Sequence, residues 1–286
     1  MIPSAFDYYK PANIDEALSM LAEHGEDAKI LAGGHSLIPA MRLRLANPEK
    51  IIDIGALRPQ LSYIKEEDGT IKIGAMTTYY QIETSDVLKN SAPVLPEAAS
   101  VIGDVQVRNW GTIGGSLVHA DPSSDLPAVM LALDAELVLR SASGERVVPV
   151  GEFFAGILQT NIEPNELLTE IRFKSLAGKK ASYQKLANKA SHYSVVGAAA
   201  VVGVDGGKIS NISVAFSGLA EMPMRFENLE KSLVGQSPDD ATIESACKGF
   251  ADNVDALEDL HGSQAYRRAM AEVFAKRAIK AALSTN

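Results

Sequence analysis

Two short glycine-paired segments hold the residues best suited to chemistry. They are Ala32-Gly33-Gly34-His35-Ser36 and Thr112-Ile113-Gly114-Gly115-Ser116. A Gly-Gly pair lets the backbone come close to a bulky ligand and turn N–H groups toward it, where a Cβ would obstruct. One such loop is an ordinary tight turn. Two of them, each beside a hydroxyl residue, suggest a ligand with two adjacent phosphates. Gly33 and Gly34 sit where a strand stops and a helix begins, so the orphan N–H groups of that helix favour an anion. Ser36 is both a natural N-cap and a hydroxyl donor to a phosphate oxygen. A simple strand-to-helix turn capped by serine accounts for the same residues equally well.

The second segment continues from Arg108 to Ala128. Gly111, Gly114 and Gly115 free the backbone at three points, and Thr112 and Ser116 add hydroxyls. Asp121-Pro122 is a turn or helix-start signal. Asp125 precedes an apolar helix, Leu126 to Leu133, and reads first as its N-cap. His119 has no second His or Cys at ligand spacing, so no metal site is expected. The chain contains no G-x-G-x-x-G fingerprint, P-loop, nucleophile elbow or zinc-hydrolase motif. No catalytic residue is assigned.

The elements that must carry these segments change character along the chain. Phe6–Tyr9, Lys29–Ala32 and Ile51–Ile54 read as strands. A helix begins at an Asn13 cap with Glu16 three residues on, and a second runs from Leu37 to Leu45. This is an α/β opening unit. From Ser62 antiparallel signals take over: a hairpin, 62–65 with 70–74, and strands at 135–140, 146–150 and 167–173. A hinge, Ser175–Lys180, follows. The last third reads as three strands, 181–187, 195–204 and 209–216, then three helices, 225–233, 240–253 and 265–283. The expectation is an α+β protein with domains at 1–176 (an α/β part, 1–57, and a mainly antiparallel part, 58–176) and 177–286.

Composition narrows the partners. The 286 residues carry a formal net charge of −9 with no long basic run, so nucleic acid is not expected. No apolar stretch reaches the length of a membrane span, and the start lacks the basic and apolar regions of a signal peptide. The single cysteine excludes an internal disulfide and a cysteine-ligated iron–sulfur cluster held by this chain alone. A cytoplasmic setting is the default.

Taken together, 32–36 and 108–128 closely resemble the FAD-binding medium subunit of molybdenum hydroxylases. That family includes the xanthine dehydrogenase flavin domain and the medium subunit of bacterial carbon monoxide dehydrogenase. The likeness extends to Phe6-Asp7-Tyr8, Gly74-Ala75-Met76-Thr77-Thr78, Tyr183-Gln184-Lys185-Leu186 and Tyr266-Arg267, and so covers nearly the whole chain. The run Gly-His-Ser-Leu-Ile-Pro lies nearest the carbon monoxide dehydrogenase branch.

The resemblance implies a vanillyl-alcohol-oxidase-like (PCMH-type) FAD-binding domain followed by a small C-terminal domain. It implies non-covalent FAD, with the pyrophosphate held by Ala32, Gly33, Gly34, His35 and Ser36 and by Gly111, Thr112, Ile113, Gly114 and Gly115. Thr77 and Thr78 match a segment near the flavin, and Asp121 and Asp125 match acidic positions beside the ribityl chain or ring. Lys185 matches a position near the pyrimidine end, although as a lone residue it reads equally as a solvated strand lysine. Tyr193 matches an aromatic residue covering the flavin ring, although it also reads as a strand tyrosine packed on a sheet. Ser116 stands where the family commonly has Asn; its hydroxyl is shorter and lacks the amide's paired donors. The resemblance further implies an electron-transfer subunit. Its partners would be a large molybdenum-cofactor subunit and a small subunit with [2Fe-2S] clusters, assembled as a dimer of heterotrimers. A self-sufficient flavin oxidase of the same superfold is the alternative.

Overall fold

The structure is a computed structural model that describes residues 2–284, so residues 1, 285 and 286 of the two expected domains lie outside the described residues. The chain opens with β1 (Asp7–Tyr9), α1 (Ile14–His24), β2 (Ala28–Leu31), α2 (Leu37–Arg42) and β3 (Lys50–Asp53), then a short helix α3 (Arg58–Leu61). The strands form a parallel sheet in the order β1-β3-β2. Asn13 caps α1 by accepting from Glu16 N, and the Glu16 carboxylate accepts from Ala12 N. Ala17, Leu18 and Leu21 are the buried face of that helix. The helix expected over 37–45 stops at Arg42. Arg44 takes φ +62°, which turns the chain out of the helix, and Leu45 is left 79% exposed.

A second sheet contains β4 (Ile64–Glu67), β5 (Thr70–Gly74), β6 (Glu136–Ser141) and β7 (Gly144–Pro149). A small hairpin, β8 (Phe154–Gly156) with β9 (Gln159–Thr160), precedes its last strand, β10 (Leu167–Lys174). The order is β4-β5-β10-β6-β7, antiparallel throughout. Between β5 and β6 run α4 (Tyr79–Thr84), α5 (Asp86–Ser91), α6 (Val94–Ser100), α7 (Val105–Trp110), α8 (Ile113–His119) and α9 (Asp125–Ala132). Only α9 is foreseen in the sequence. Helices of six or seven residues are too short to show a period. They are held instead by caps: a Thr78–Gln81 capping box, Ser85 and Asp104.

The last third is a meander of β11 (Lys180–Ala187), β12 (Ser194–Asp205), β13 (Lys208–Ser217) and a two-residue β14 (Met224–Arg225). The helices α10 (Glu227–Leu233), α11 (Asp240–Cys247) and α12 (Gln264–Ser284) follow. The sheet thus has four strands, not three, because Met224 and Arg225 pair with Phe216 and Ala215 where a helix start is expected. α11 ends at Cys247, well before Asn253, with Gly249 at φ +73° just beyond.

Strand β12 is buried along its first ten residues, which explains its unbroken apolar run. Val196, Ala198, Ala200 and Val202 share one core with Leu229, Ile243, Phe274 and Ala278 of the three C-terminal helices. Ala199 and Val201, with Ala181, Tyr183 and Ala215, belong to the core that includes α6, α9 and the antiparallel sheet. The C-terminal sheet is therefore clamped between its own helices and the middle of the chain. That clamp builds the site.

Candidate functional site

The first glycine segment leaves β2 and enters α2. Gly34 lies at φ +75°, a conformation that favours glycine. Among the described residues, nothing accepts the backbone N–H of Gly33, Gly34, His35 or Ser36. His35 Nδ1 lies 3.0 Å from Gly33 O, closing the turn on itself. Ser36 occupies the cap position, but its hydroxyl makes no capping bond. Four successive free N–H groups and an unengaged hydroxyl make an anion cradle.

The second segment behaves differently, for it is largely a helix and not the loop read in the sequence. Gly114 and Gly115 lie inside α8, not in a loop. Their N–H groups are used within the protein: Ile113 N donates to Thr77 O, Gly114 N to Ala75 O, Gly115 N to Thr112 Oγ1 and Ser116 N to Thr112 O. Gly114 is glycine for packing, since a Cβ there would stand 2.7 Å from both Ala75 Cβ and Ala75 O. Gly111 meets the Tyr79 ring at 2.4 Å in the same sense. Ser116 is buried in the helix.

The two segments touch. A Cβ on Gly33 would stand 2.1 Å from Trp110 O and 3.1 Å from Gly111 Cα. Gly33 thus allows the first loop to lie directly on the entrance to the second. Thr78 bridges to Thr112, and Tyr79 N donates to Gly111 O, which pins a third segment to the pair. The Thr77 hydroxyl is engaged with Tyr63, and that of Thr78 caps α4. These threonines fix the backbone around the loops.

Asp121 and Asp125 follow α8. Asp121 Oδ1 accepts from Ser123 N in a tight turn. Asp125 is not the N-cap expected for α9, because Ser124 takes that position. Its carboxylate instead turns to the C-terminal sheet. Oδ1 accepts from Tyr183 OH at 2.5 Å and Ser194 Oγ at 2.7 Å, and Oδ2 accepts from Lys185 Nζ at 2.9 Å. Burial pushes the Asp125 carboxyl above its ordinary value, while Lys185, Tyr183 and Ser194 pull it down. Lys185 is not solvated, for its side chain is 4% exposed and Nζ also donates to Val101 O at 3.0 Å. Glu97 of α6 holds this edge of β11 by accepting from Tyr183 N and Ser182 Oγ.

Tyr193 precedes β12 and is 43% exposed, so it is not a strand residue packed on the sheet. Partial burial and the charges of Asp121 and Asp125 raise its phenol pKa. A cavity of about 160 Å³ beside it is lined by Asp121, Ser123, Asn188, Ser194 and Arg267. The larger groove, between α10 and α11, shares no residue with the site. Arg267, part of a motif legible in the sequence, has no site role in that reading; its burial is visible only in three dimensions.

What fold and site define is a two-domain α+β binding protein with an anion cradle where the 33–36 turn lies against Trp110 and Gly111. A buried carboxylate–ammonium pair and a half-exposed tyrosine stand where the C-terminal sheet docks. The comparisons identify the class. Residues 4–173 match the family described as FAD binding domain in molybdopterin dehydrogenase, and residues 181–282 match the CO dehydrogenase flavoprotein C-terminal domain. The chain is 40% identical to the carbon monoxide dehydrogenase medium chain of Hydrogenophaga pseudoflava, over 99% of this chain and 98% of that one. It is 36% identical to the glyceraldehyde dehydrogenase medium chain of Sulfolobus acidocaldarius, over 98% and 99%. A solved structure of the Hydrogenophaga pseudoflava carbon monoxide dehydrogenase superposes with TM-score 0.96 at 41% identity, covering 99% of each chain. The chain belongs to the FAD-binding medium-subunit family of molybdenum hydroxylases. It is an oxidoreductase subunit, and its cofactor is FAD. The free N–H groups at 33–36 and the Cβ-free contact at Gly33 fit the pyrophosphate of that cofactor.

Proposed function

We propose that this subunit receives electrons from iron–sulfur clusters on a small partner and passes them through FAD to an external acceptor. Substrate is oxidised at a molybdenum centre on a large partner, in the manner of a carbon monoxide dehydrogenase or of an aldehyde or N-heterocycle dehydrogenase. The three chains assemble as a dimer of heterotrimers in the cytoplasm. The flavin domain is 1–176 and the C-terminal domain 177–286.

The observation that carries this reading is the unpaired N–H run of Gly33 to Ser36, laid against Trp110 and Gly111. We assign the pyrophosphate to Ala32, Gly33, Gly34, His35 and Ser36. Gly111, Thr112, Ile113, Gly114, Gly115 and Ser116 form the wall against which that loop is shaped, with Thr77 and Thr78 holding the wall. Asp121, Asp125 and Lys185 border the ribityl chain and ring, and Tyr193 covers the ring. Bound FAD supplies the redox chemistry; the residues named here bind and orient it without a covalent bond.

The test has two parts. Acid denaturation should release FAD into the supernatant, whereas flavin retained on the polypeptide, or FMN in its place, contradicts the reading. The purified chain should oxidise none of the family's substrates with an artificial acceptor until its partners are added. Substantial oxidation by the chain alone would favour a self-sufficient oxidase.

A further inference from the structure

Arg267 is among the largest fully buried side chains of the protein, 1% exposed in the first turn of α12. A buried guanidinium is costly unless its donors are satisfied. Nη1 donates to Val195 O at 2.5 Å and to Gly218 O at 2.6 Å, and Nη2 to Asp259 Oδ1 at 2.7 Å. Nε is the buried side-chain polar atom left without a partner among the described residues. The fork is thus committed to three acceptors on three separate segments, at the expense of its Nε–H.

Those segments converge on Tyr193 by two routes. Val195 lies two residues beyond it, at the start of β12. The neighbouring Ser194 N donates to Ser123 O, and Gly218 N donates to Pro122 O, so the same corner also grips the Asp121 turn. On the second route, Asp259 Oδ1 also accepts from His261 N and Gly262 N. His261 Nδ1 then lies 2.9 Å from Asn188 Nδ2. Asn188 closes the loop that carries Tyr193: its N–H donates to Tyr193 O, its carbonyl accepts from His192 N, and its side chain accepts from Ala190 N and Ser191 N.

We propose that Arg267 is a positioning residue for Tyr193: from the C-terminal domain it fixes the 188–193 loop, and so sets the tyrosine against the flavin ring. The proposal rests on the reading above that Tyr193 covers that ring. Lysine at 267 keeps the charge but is a single point donor that cannot span three acceptors. It therefore frees the loop without removing the cofactor's own contacts.

The experiment records flavin fluorescence, visible absorption and FAD content of the assembled FAD-loaded complex. Tyr193→Ala, Arg267→Lys, Asn188→Ala and the double variant Arg267→Lys/Tyr193→Ala are compared with wild type. Tyr193→Ala should relieve quenching of the flavin. Arg267→Lys and Asn188→Ala should do the same in the same direction with FAD content unchanged, and the double variant should show no more than Tyr193→Ala alone. An unchanged spectrum in Arg267→Lys, or full additivity in the double variant, overturns the proposal while leaving Tyr193 over the ring, whatever Asn188→Ala does, because Asn188 belongs to the loop itself. An unchanged spectrum in Tyr193→Ala itself removes the assignment of Tyr193, and this proposal with it. If Arg267→Lys fails to fold, His261→Ala cuts the link from Asp259 to Asn188 outside the tyrosine's own loop, and an unchanged spectrum in that variant overturns the proposal.

Discussion

Lys185 Nζ and Asp125 Oδ2 lie 2.9 Å apart with both side chains 4% exposed, joining β11 to the first turn of α9 across 60 residues of sequence. A buried pair of this kind stabilises little relative to apolar residues of the same shape, but removing one partner strands a charge. Lys185→Met should cost about 3–5 kcal/mol in urea unfolding. Adding Asp125→Asn to that variant should recover a large part of the loss, because Tyr183 and Ser194 still have an acceptor. Equal stability of the single and double variants would show that the pair is not coupled.

The glycines differ in what they do, and substitution should separate them. Gly33→Ala should abolish FAD retention, since a methyl group 2.1 Å from Trp110 O forces the two segments apart. Gly114→Ala should destabilise the fold by about 1–3 kcal/mol through overpacking against Ala75. Gly115→Ala meets only Thr112 Oγ1, at 2.9 Å, and should retain the most flavin of the three. FAD content after gel filtration, with melting curves beside it, checks the order.

Asp259 gives an acid limb to stability. Burial alone would raise its carboxyl, but the N–H groups of His261 and Gly262 and the Arg267 guanidinium hold it below its ordinary value of 3.8. An acid with a depressed folded pKa contributes stability that is complete above the unfolded pKa and disappears as pH falls through the folded one. Wild-type stability should therefore drop below about pH 4. Asp259→Asn should be less stable at neutral pH and show a shallower acid limb in denaturant titrations between pH 6 and 3. An acid limb as steep as that of wild type would assign the loss to other carboxylates.

Cys247 should be chemically silent in the native protein. Burial pushes its thiol up to about 12, and it sits fully enclosed at the end of α11. The thiolate is the reactive form, so iodoacetamide at pH 8 should modify it only after unfolding. Mass spectrometry of native and denatured samples reads the outcome directly, and rapid native alkylation would contradict the burial.

Much of the site was legible in the residues because its signals are local. Gly-Gly next to Ser, an Asn cap with Glu three residues on, Asp-Pro and a strand running into a turn all act over three to five positions, where backbone sterics and hydrogen bonds decide the outcome. The parallel opening unit, the antiparallel middle and most of the C-terminal meander follow from the same short-range patterns. The helices between 79 and 119 escape because six or seven residues give no period, although the Thr78-x-x-Gln81 box was a readable mark of one start.

What only the tertiary structure decided is which polar groups remain free and which charges meet. The free N–H run at 33–36 and the satisfied one at 113–116 look alike as text. They differ because Ala75, Thr77 and Thr112 supply acceptors to the second. Asp125 was a cap in one dimension and a buried partner of Lys185, Tyr183 and Ser194 in three, and Arg267 acquired its acceptors from Val195, Gly218 and Asp259. The physical reason is the docking of the C-terminal sheet on α6 and α9. Burying both faces of β12 removes water from groups distant in sequence, and each must then find its partner across the domain boundary or be left unpaired.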